Sequence, residues 1–323
     1  FLAAIYGVLA WLAWTGTLEI WQLAVVVFCS GCFWTLELPI RRTMVAELAG
    51  IQNIGATMGL DSSTNNFTRM IGPFTGGFLY EFFGLPGTLM LGAGLFVSAA
   101  FLLMSVHYDT VRSPGAGSTI LQNLLEGLRF ARDNKTVRAT LMVTTCLNLF
   151  GFSFVSMIPV IAREQLGLSP FPTGILMSAD GCGAFIGALL IAFFAHPRRF
   201  HQIFLGGATL YLCCIMVFAF SGQFWFSLPA LWLGGFGMSG FAAMQSAMVI
   251  ASSPPEMRNR AMGVLVMCIG LSPFGILMVG FLADWLGAHI AIRFTSAVGL
   301  LGMAGFALAW PEMRKAGKSQ GSI

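Results

Sequence analysis

Ionisable and polar side chains set inside apolar runs long enough to cross a membrane carry the chemistry this sequence offers, because each is costly there and marks a function or a specific partner. Thr57, Asp61, Thr64, Asn65 and Thr68 stand at i, i+4, i+7, i+8 and i+11 of the run 54–80, flanked by Asn66 and Arg69, and so share one helical face. A stripe this polar should line water or a facing helix. A carboxylate shielded from water can take up and release a proton near neutral pH, which makes Asp61 a candidate proton site; a hydrated aspartate of ordinary acidity is the alternative. Asp180, in the run 172–195, is a second candidate. Glu37 is a weaker one, since it can reach headgroups or pair with Arg41 or Arg42. Arg69 reads as a fixed charge that holds an anionic solute or pairs with a carboxylate on another helix, with the pairing favoured. Asp61 and Arg69 are eight residues apart, about 12 Å along a helix axis, too far for a direct pair, so each needs another partner. Asn148 and Gln245 offer hydrogen bonds to a solute or bridges between helices, the second being the more common use.

The elements that position these groups follow from composition. The chain is 57% hydrophobic and 9% charged, and a mean hydropathy of +0.81 cannot be hidden in the core of one globular domain of this length. Much of it has to face lipid. Apolar runs of roughly twenty residues, enough to cross about 30 Å of hydrocarbon, lie near 20–40, 54–80, 86–106, 138–161, 172–195, 202–221, 226–250, 261–283 and 288–310. A shorter run occupies 1–15. Gly77-Phe-Leu-Tyr-Glu81-Phe-Phe-Gly84 returns as Gly280-Phe-Leu-Ala-Asp284-Trp-Leu-Gly287, and Pro73-Phe74 is echoed by Pro273-Phe274. An internal repeat in one orientation points to two related halves, an architecture of secondary transporters. Placing the spans of the second copy onto the first puts its start roughly 70 residues before Phe1, so about two further helices are expected upstream.

Cytoplasmic loops keep Lys and Arg, and here the split is lopsided. With both ends inside, Arg41, Arg42, Arg112, Arg129, Arg132, Lys135, Arg138, Arg198, Arg199, Arg258, Arg260, Arg314, Lys315 and Lys318 are cytoplasmic, against Arg163 and Arg293 at the outer edge. The net charge of +4 therefore reflects topology and not nucleic-acid binding. Between the halves, Ser113-Pro-Gly-Ala-Gly-Ser118 reads as a flexible connector. After it, Leu121, Leu124, Leu125 and Leu128 recur at helical spacing, so 119–133 is expected to be an amphipathic helix on the inner membrane surface, a strut or a partner-binding element. The seven cysteines lie in apolar helices, where a thiol acts as a small hydrophobe; no disulfide framework, metal site or cofactor is implied. Gly181-Cys-Gly183-Ala-Phe-Ile-Gly187 lacks the preceding strand of a nucleotide loop and reads as helix packing. No Walker loop or Ser-His-Asp set supports ATP-driven transport or an enzyme.

These residues resemble the major facilitator superfamily. Gly59, Thr68 and Gly72-Pro73-Phe-Thr-Gly76-Gly77 are similar to its fifth-helix antiporter motif, with Thr68 where a glycine is usual. Arg69, the connector Leu124-Leu-Glu-Gly-Leu-Arg-Phe130, and Arg258-Asn-Arg-Ala-Met-Gly263 leading into Pro273 and Gly280 look like the enterobactin-exporter or transmembrane-secretion-effector branch. The resemblance implies an all-α fold of two six-helix bundles, seen from its third helix, with about ten of twelve helices present. Its expected division is an N-terminal bundle at 1–106, a cytoplasmic linker at 107–136, a C-terminal bundle at 137–310 and a cytoplasmic tail at 311–323. Independently of the family, Pro73 removes a backbone donor while Gly72, Gly76 and Gly77 allow close helix approach, which suits either a bend at a moving interface or a static packed pair. The expected function is proton-coupled export of an amphipathic solute such as a drug or siderophore by a monomer in the cell membrane. Asp61 or Asp180 would carry the proton, and Thr57, Thr64, Thr68, Asn148 and Gln245 would line the cavity. An uptake permease of the same fold and a non-transporting scaffold or sensor are the alternatives.

Overall fold

The computed structural model describes residues 1–33, 54–104, 120–194 and 199–310. Glu37, Arg41 and Arg42, the connector 107–119 and the tail 311–323 lie outside the described residues, and of Thr57, Gly59 and Asp61 only the helical backbone is described. Among the described residues the secondary structure is helical throughout, with no strand.

Helix α1 (Leu2–Thr15) ends on Gly16, which takes the left-handed conformation of a C-terminal cap, and α2 spans Ile20–Phe33. α3 (Ile54–Met104) is two helices meeting at Gly84, whose backbone is non-helical at φ 66° and ψ −174°. The second copy of the repeat breaks at the matching residue: α11 (Ser272–Leu286) passes to α12 (Ala288–Ala309) through Gly287 at φ 84°. A β-carbon would be strained at either angle, so both repeat glycines are explained by the turn they make.

The other spans also fall where hydropathy put them, as α7 (Pro170–Phe194), α8 (Phe200–Phe220) and α9 (Phe224–Ala251). Two spans are interrupted. The one expected as a single helix at 138–161 runs as α5 (Lys135–Cys146), a wide π turn at Leu147–Gly151, a tight 3₁₀ turn at Phe152–Met157 and α6 (Ile158–Glu164). The widened turn lets α11 come close, since a side chain at Gly275 would meet the Leu149 carbonyl. The span expected at 261–283 divides into α10 (Pro255–Ile269) and α11, with Pro273 at the start of α11, where its missing donor costs nothing. Among the described residues, splitting α3 at Gly84, joining these interrupted spans and leaving aside the amphipathic helix between the halves gives ten helical segments in the expected order.

α4 (Ile120–Asp133) confirms the amphipathic helix, but α10 claims part of its apolar face. Leu124, Phe130 and Ala131 pack on Val249, Ala261, Val264 and Leu265, Glu126 pairs with Arg260, and a side chain at Gly127 would lie 2.7 Å from the Arg260 carbonyl oxygen. Leu125 and Leu128 stay 57% and 45% exposed, leaving a narrower strip for the membrane surface than the sequence spacing implied.

The chain forms two compact units. One comprises described residues of Phe1–Asn65, Gly72–Gly115 and Pro170–Gly174. In it the Phe74 and Phe78 rings flank Phe171 at 5.3 and 5.8 Å, and Glu81 Oε2 accepts from the Phe171 N–H at 2.8 Å, satisfying an unpaired donor in the first turn of α7. The other comprises those of Asn66–Ile71, Ala116–Ser169 and Ile175–Ile323. Its core holds Tyr211, Phe154, Phe204, Phe218 and Phe241 with almost no exposed surface. At one end of α12, Arg293 donates to the Ala219 carbonyl at 3.0 Å and lies 4.0 Å over Phe220; at the other, Arg138 lies 5.9 Å from Trp310. A cation on the last carbonyls of α8 also meets the negative end of that helix.

Candidate functional site

Within the larger unit, α3 brings Arg69 and α7 brings Asp180 into one ion pair. Arg69 Nη2 donates to Asp180 Oδ2 at 2.8 Å, with the arginine side chain 39% exposed and the aspartate 8%. The sequence required a separate partner for Arg69, and Asp180 supplies it. The second carboxylate oxygen, Oδ1, is buried with no hydrogen-bond partner among the described residues. The fully buried Tyr211 hydroxyl is likewise without one, and it lies within electrostatic reach of both Asp180 and Arg69.

Glycines fix where Asp180 sits. Pro73 cannot donate to the carbonyl of Arg69, four residues before it, and a side chain at Gly181 would lie 2.6 Å from that carbonyl oxygen. On the other side, side chains at Gly183 and Gly235 would run into the Trp232 and Asp180 carbonyls, and one at Gly187 into the Ser239 hydroxyl. The Gly181–Gly187 string is thus helix packing, as its lack of a strand indicated. α7 is held backbone to backbone between α3 and α9, which leaves the carboxylate little freedom to move away from Arg69.

Thr64, Asn65 and Thr68 of the polar stripe are exposed, while Arg69 is intermediate. In the smaller unit, a side chain at Gly77 would lie 2.6 Å from the Pro170 carbonyl oxygen and one at Gly174 would strike the Pro73 carbonyl, so this end of the Gly-Pro motif is a close helix crossing. Side chains at Gly72, Gly76 and Gly280 would meet nothing within 4 Å among the described residues. Asn148 and Gln245 both bridge helices: Asn148 Oδ1 accepts from Ser272 Oγ at 2.7 Å while its amide donates to Thr144 O at 2.8 Å, and Gln245 Oε1 accepts from Thr144 Oγ1 at 3.4 Å. Ser272→Ala is expected to cost about 1–3 kcal/mol, because Asn148 is 2% exposed and its oxygen loses its donor. A thermal midpoint of the purified protein equal to wild type would contradict this.

Sequence reading missed Tyr211, Ser272, Gly174 and Gly235. Tyr211 and the serine sit in apolar runs whose periodicity does not say which face meets which helix. Glu81 had a signal, since an acidic residue recurs at the same place in the second repeat, as Asp284.

The family model described as "Transmembrane secretion effector" matches residues 1–321. The chain belongs to this family of major facilitator transporters. It is similar to the uncharacterized MFS-type transporter YfiS of Bacillus subtilis, at 26% identity, over 84% of this chain and 68% of that one. It is similar to macrolide efflux protein A of Streptococcus pyogenes at 21% identity, over 89% of this chain and 72% of that one. In fold it resembles a bacterial homologue of the human lysosomal transporter Spinster, with a TM-score of 0.64 at 13% identity, covering 99% of this chain and 84% of that one. Members of this family are multi-pass membrane transporters and not enzymes.

Proposed function

We propose that the protein exports small amphipathic organic molecules from the cell in exchange for protons. The Arg69–Asp180 pair carries this reading: a buried carboxylate with one oxygen bound to a cation and the other unpartnered among the described residues is a group whose charge can be traded for a proton. Protonating Asp180 would release the half-exposed Arg69 and loosen α3 from α7. Asp61, on the same stripe of α3, is the second carrier candidate, and the exposed Thr64, Asn65 and Thr68 offer hydrogen bonds to water or cargo in its path. Export over uptake is supported by the Gly-Pro motif and by the likeness to macrolide efflux protein A. The basic-residue asymmetry favours a cell-membrane protein with a cytoplasmic C-terminus, two bundles at 1–106 and 137–310, and the linker 107–136 on the inner side. The protein is proposed to work as a monomer.

The test is accumulation of a fluorescent amphipathic dye, and of a macrolide, in cells expressing the full-length gene. Comparison is made with Asp180→Asn and with the proton gradient collapsed. Accumulation should fall several-fold with the intact protein and return to the control level in both comparisons. Unchanged accumulation by protein shown to be in the membrane would overturn export of amphipathic molecules, and raised accumulation would identify an uptake permease.

A further inference from the structure

A cavity of about 420 Å³ opens among α7, α8 and α9, apart from the Arg69–Asp180 pair. Its volume falls in the range of small-ligand sites, roughly 300–1,000 Å³. Arg199, the exposed residue just before α8, is part of its lining, and it has no ion-pair partner among the described residues. Inward, the lining runs to Leu210, eleven residues further along the helix, or about 16 Å. One leaflet of hydrocarbon is about 15 Å thick, so the cavity reaches from headgroup depth to the bilayer midplane.

The glycines of its wall divide into two kinds. Gly207, Gly237 and Gly240 serve packing of α8 on α9: a side chain at Gly207 would lie 2.5 Å from the Gly237 carbonyl oxygen, one at Gly237 would lie 2.8 Å from that of Gly207, and one at Gly240 would lie 3.2 Å from Ile203. Gly206 is different. Among the described residues a side chain there would meet nothing within 4 Å, so their packing does not call for a glycine, and what its missing side chain provides is open cavity.

We infer that this cavity holds one anionic phospholipid of the membrane, with its phosphate on Arg199 and an acyl chain lying along the Gly206 wall toward Leu210. A cation at headgroup depth above an apolar slot one leaflet long matches a lipid in both charge and length. The distribution of basic residues puts that end of α8 on the cytoplasmic side, the leaflet whose surface carries anionic lipid. The inference is independent of export, because neither Arg69 nor Asp180 lines the cavity.

The test is native mass spectrometry of the full-length protein in detergent, titrated with phosphatidylglycerol or, separately, phosphatidylcholine. Wild type should retain phosphatidylglycerol in preference to phosphatidylcholine. Arg199→Ala should weaken retention about fivefold, the factor for the ~1 kcal/mol of a single basic group near an anionic surface. Gly206→Leu should abolish retention of both lipids, and Gly206→Ala should weaken it less. Equal retention of the two lipids by wild type, or phosphatidylglycerol retention unmoved by Arg199→Ala, would overturn the inference; so would a folded Gly206→Leu that binds as wild type does. Arg199 is exposed at a helix start, so its variant remains informative even where Gly206→Leu fails to fold.

Discussion

Asp180→Asn is expected to lower gradient-driven dye export at least tenfold while leaving the protein folded, whereas Arg69→Met is expected to lose both export and stability. The difference follows from where the two charges sit. An asparagine in place of Asp180 would keep the volume and one acceptor of the aspartate, and the cation left behind is on a side chain that is 39% exposed and can be hydrated. Removing Arg69 instead strands a carboxylate that is 8% exposed, with Oδ1 unpartnered among the described residues. An uncompensated buried charge costs roughly 3 kcal/mol or more. The double change Arg69→Met with Asp180→Asn should then recover most of that stability, since no lone charge remains, without recovering export. The readouts are the thermal midpoint of purified protein and dye export at matched membrane levels. Wild-type export by Asp180→Asn would show that the pair is structural only, and an Arg69→Met protein as stable as wild type would refute the stranded charge.

The sequence was informative where one-dimensional pattern fixes three-dimensional outcome. Hydropathy located the long spans among the described residues, because about twenty apolar residues have few fates other than a membrane helix. The repeat located Gly84 and Gly287, where both copies take a positive φ. Arg69 was legible as a charge in need of a partner, and Asp180 as a carboxylate in a span, each from its cost in lipid. Their union was not legible, since it depends on Gly181 admitting the Arg69 carbonyl to the surface of α7, and a glycine in an apolar helix gives no sign of which neighbour it receives. The same holds for the π turn at Leu147–Gly151: it coincides with the approach of Gly275 and the bond from Ser272 to Asn148, residues more than 120 positions apart. Gly72 and Gly76 look like packing residues in the motif, yet among the described residues no helix meets them.

Gly235→Ala is expected to be among the most damaging single-methyl changes in the chain, and Gly280→Ala among the least, although both glycines lie in membrane helices. At Gly235 the added carbon would collide with the Asp180 carbonyl, and the α7 backbone also passes close to it at the Ala184 amide, 3.0 Å away. Backbone cannot rotate aside as a side chain can, so α7 and α9 must separate, at a cost of about 1–3 kcal/mol or more from overpacking. Separation also carries Asp180 away from Arg69, so export should fall with stability. At Gly280 an added β-carbon meets nothing within 4 Å among the described residues, so alanine there is expected to favour the helix by roughly 0.5–1 kcal/mol over glycine. Size-exclusion profiles and thermal midpoints of the two variants, fused to a fluorescent reporter, give the comparison. Equal midpoints would mean that α7 and α9 are not in backbone contact at Asp180. A lower midpoint for Gly235→Ala with export retained in the folded fraction would separate that packing from the charge pair.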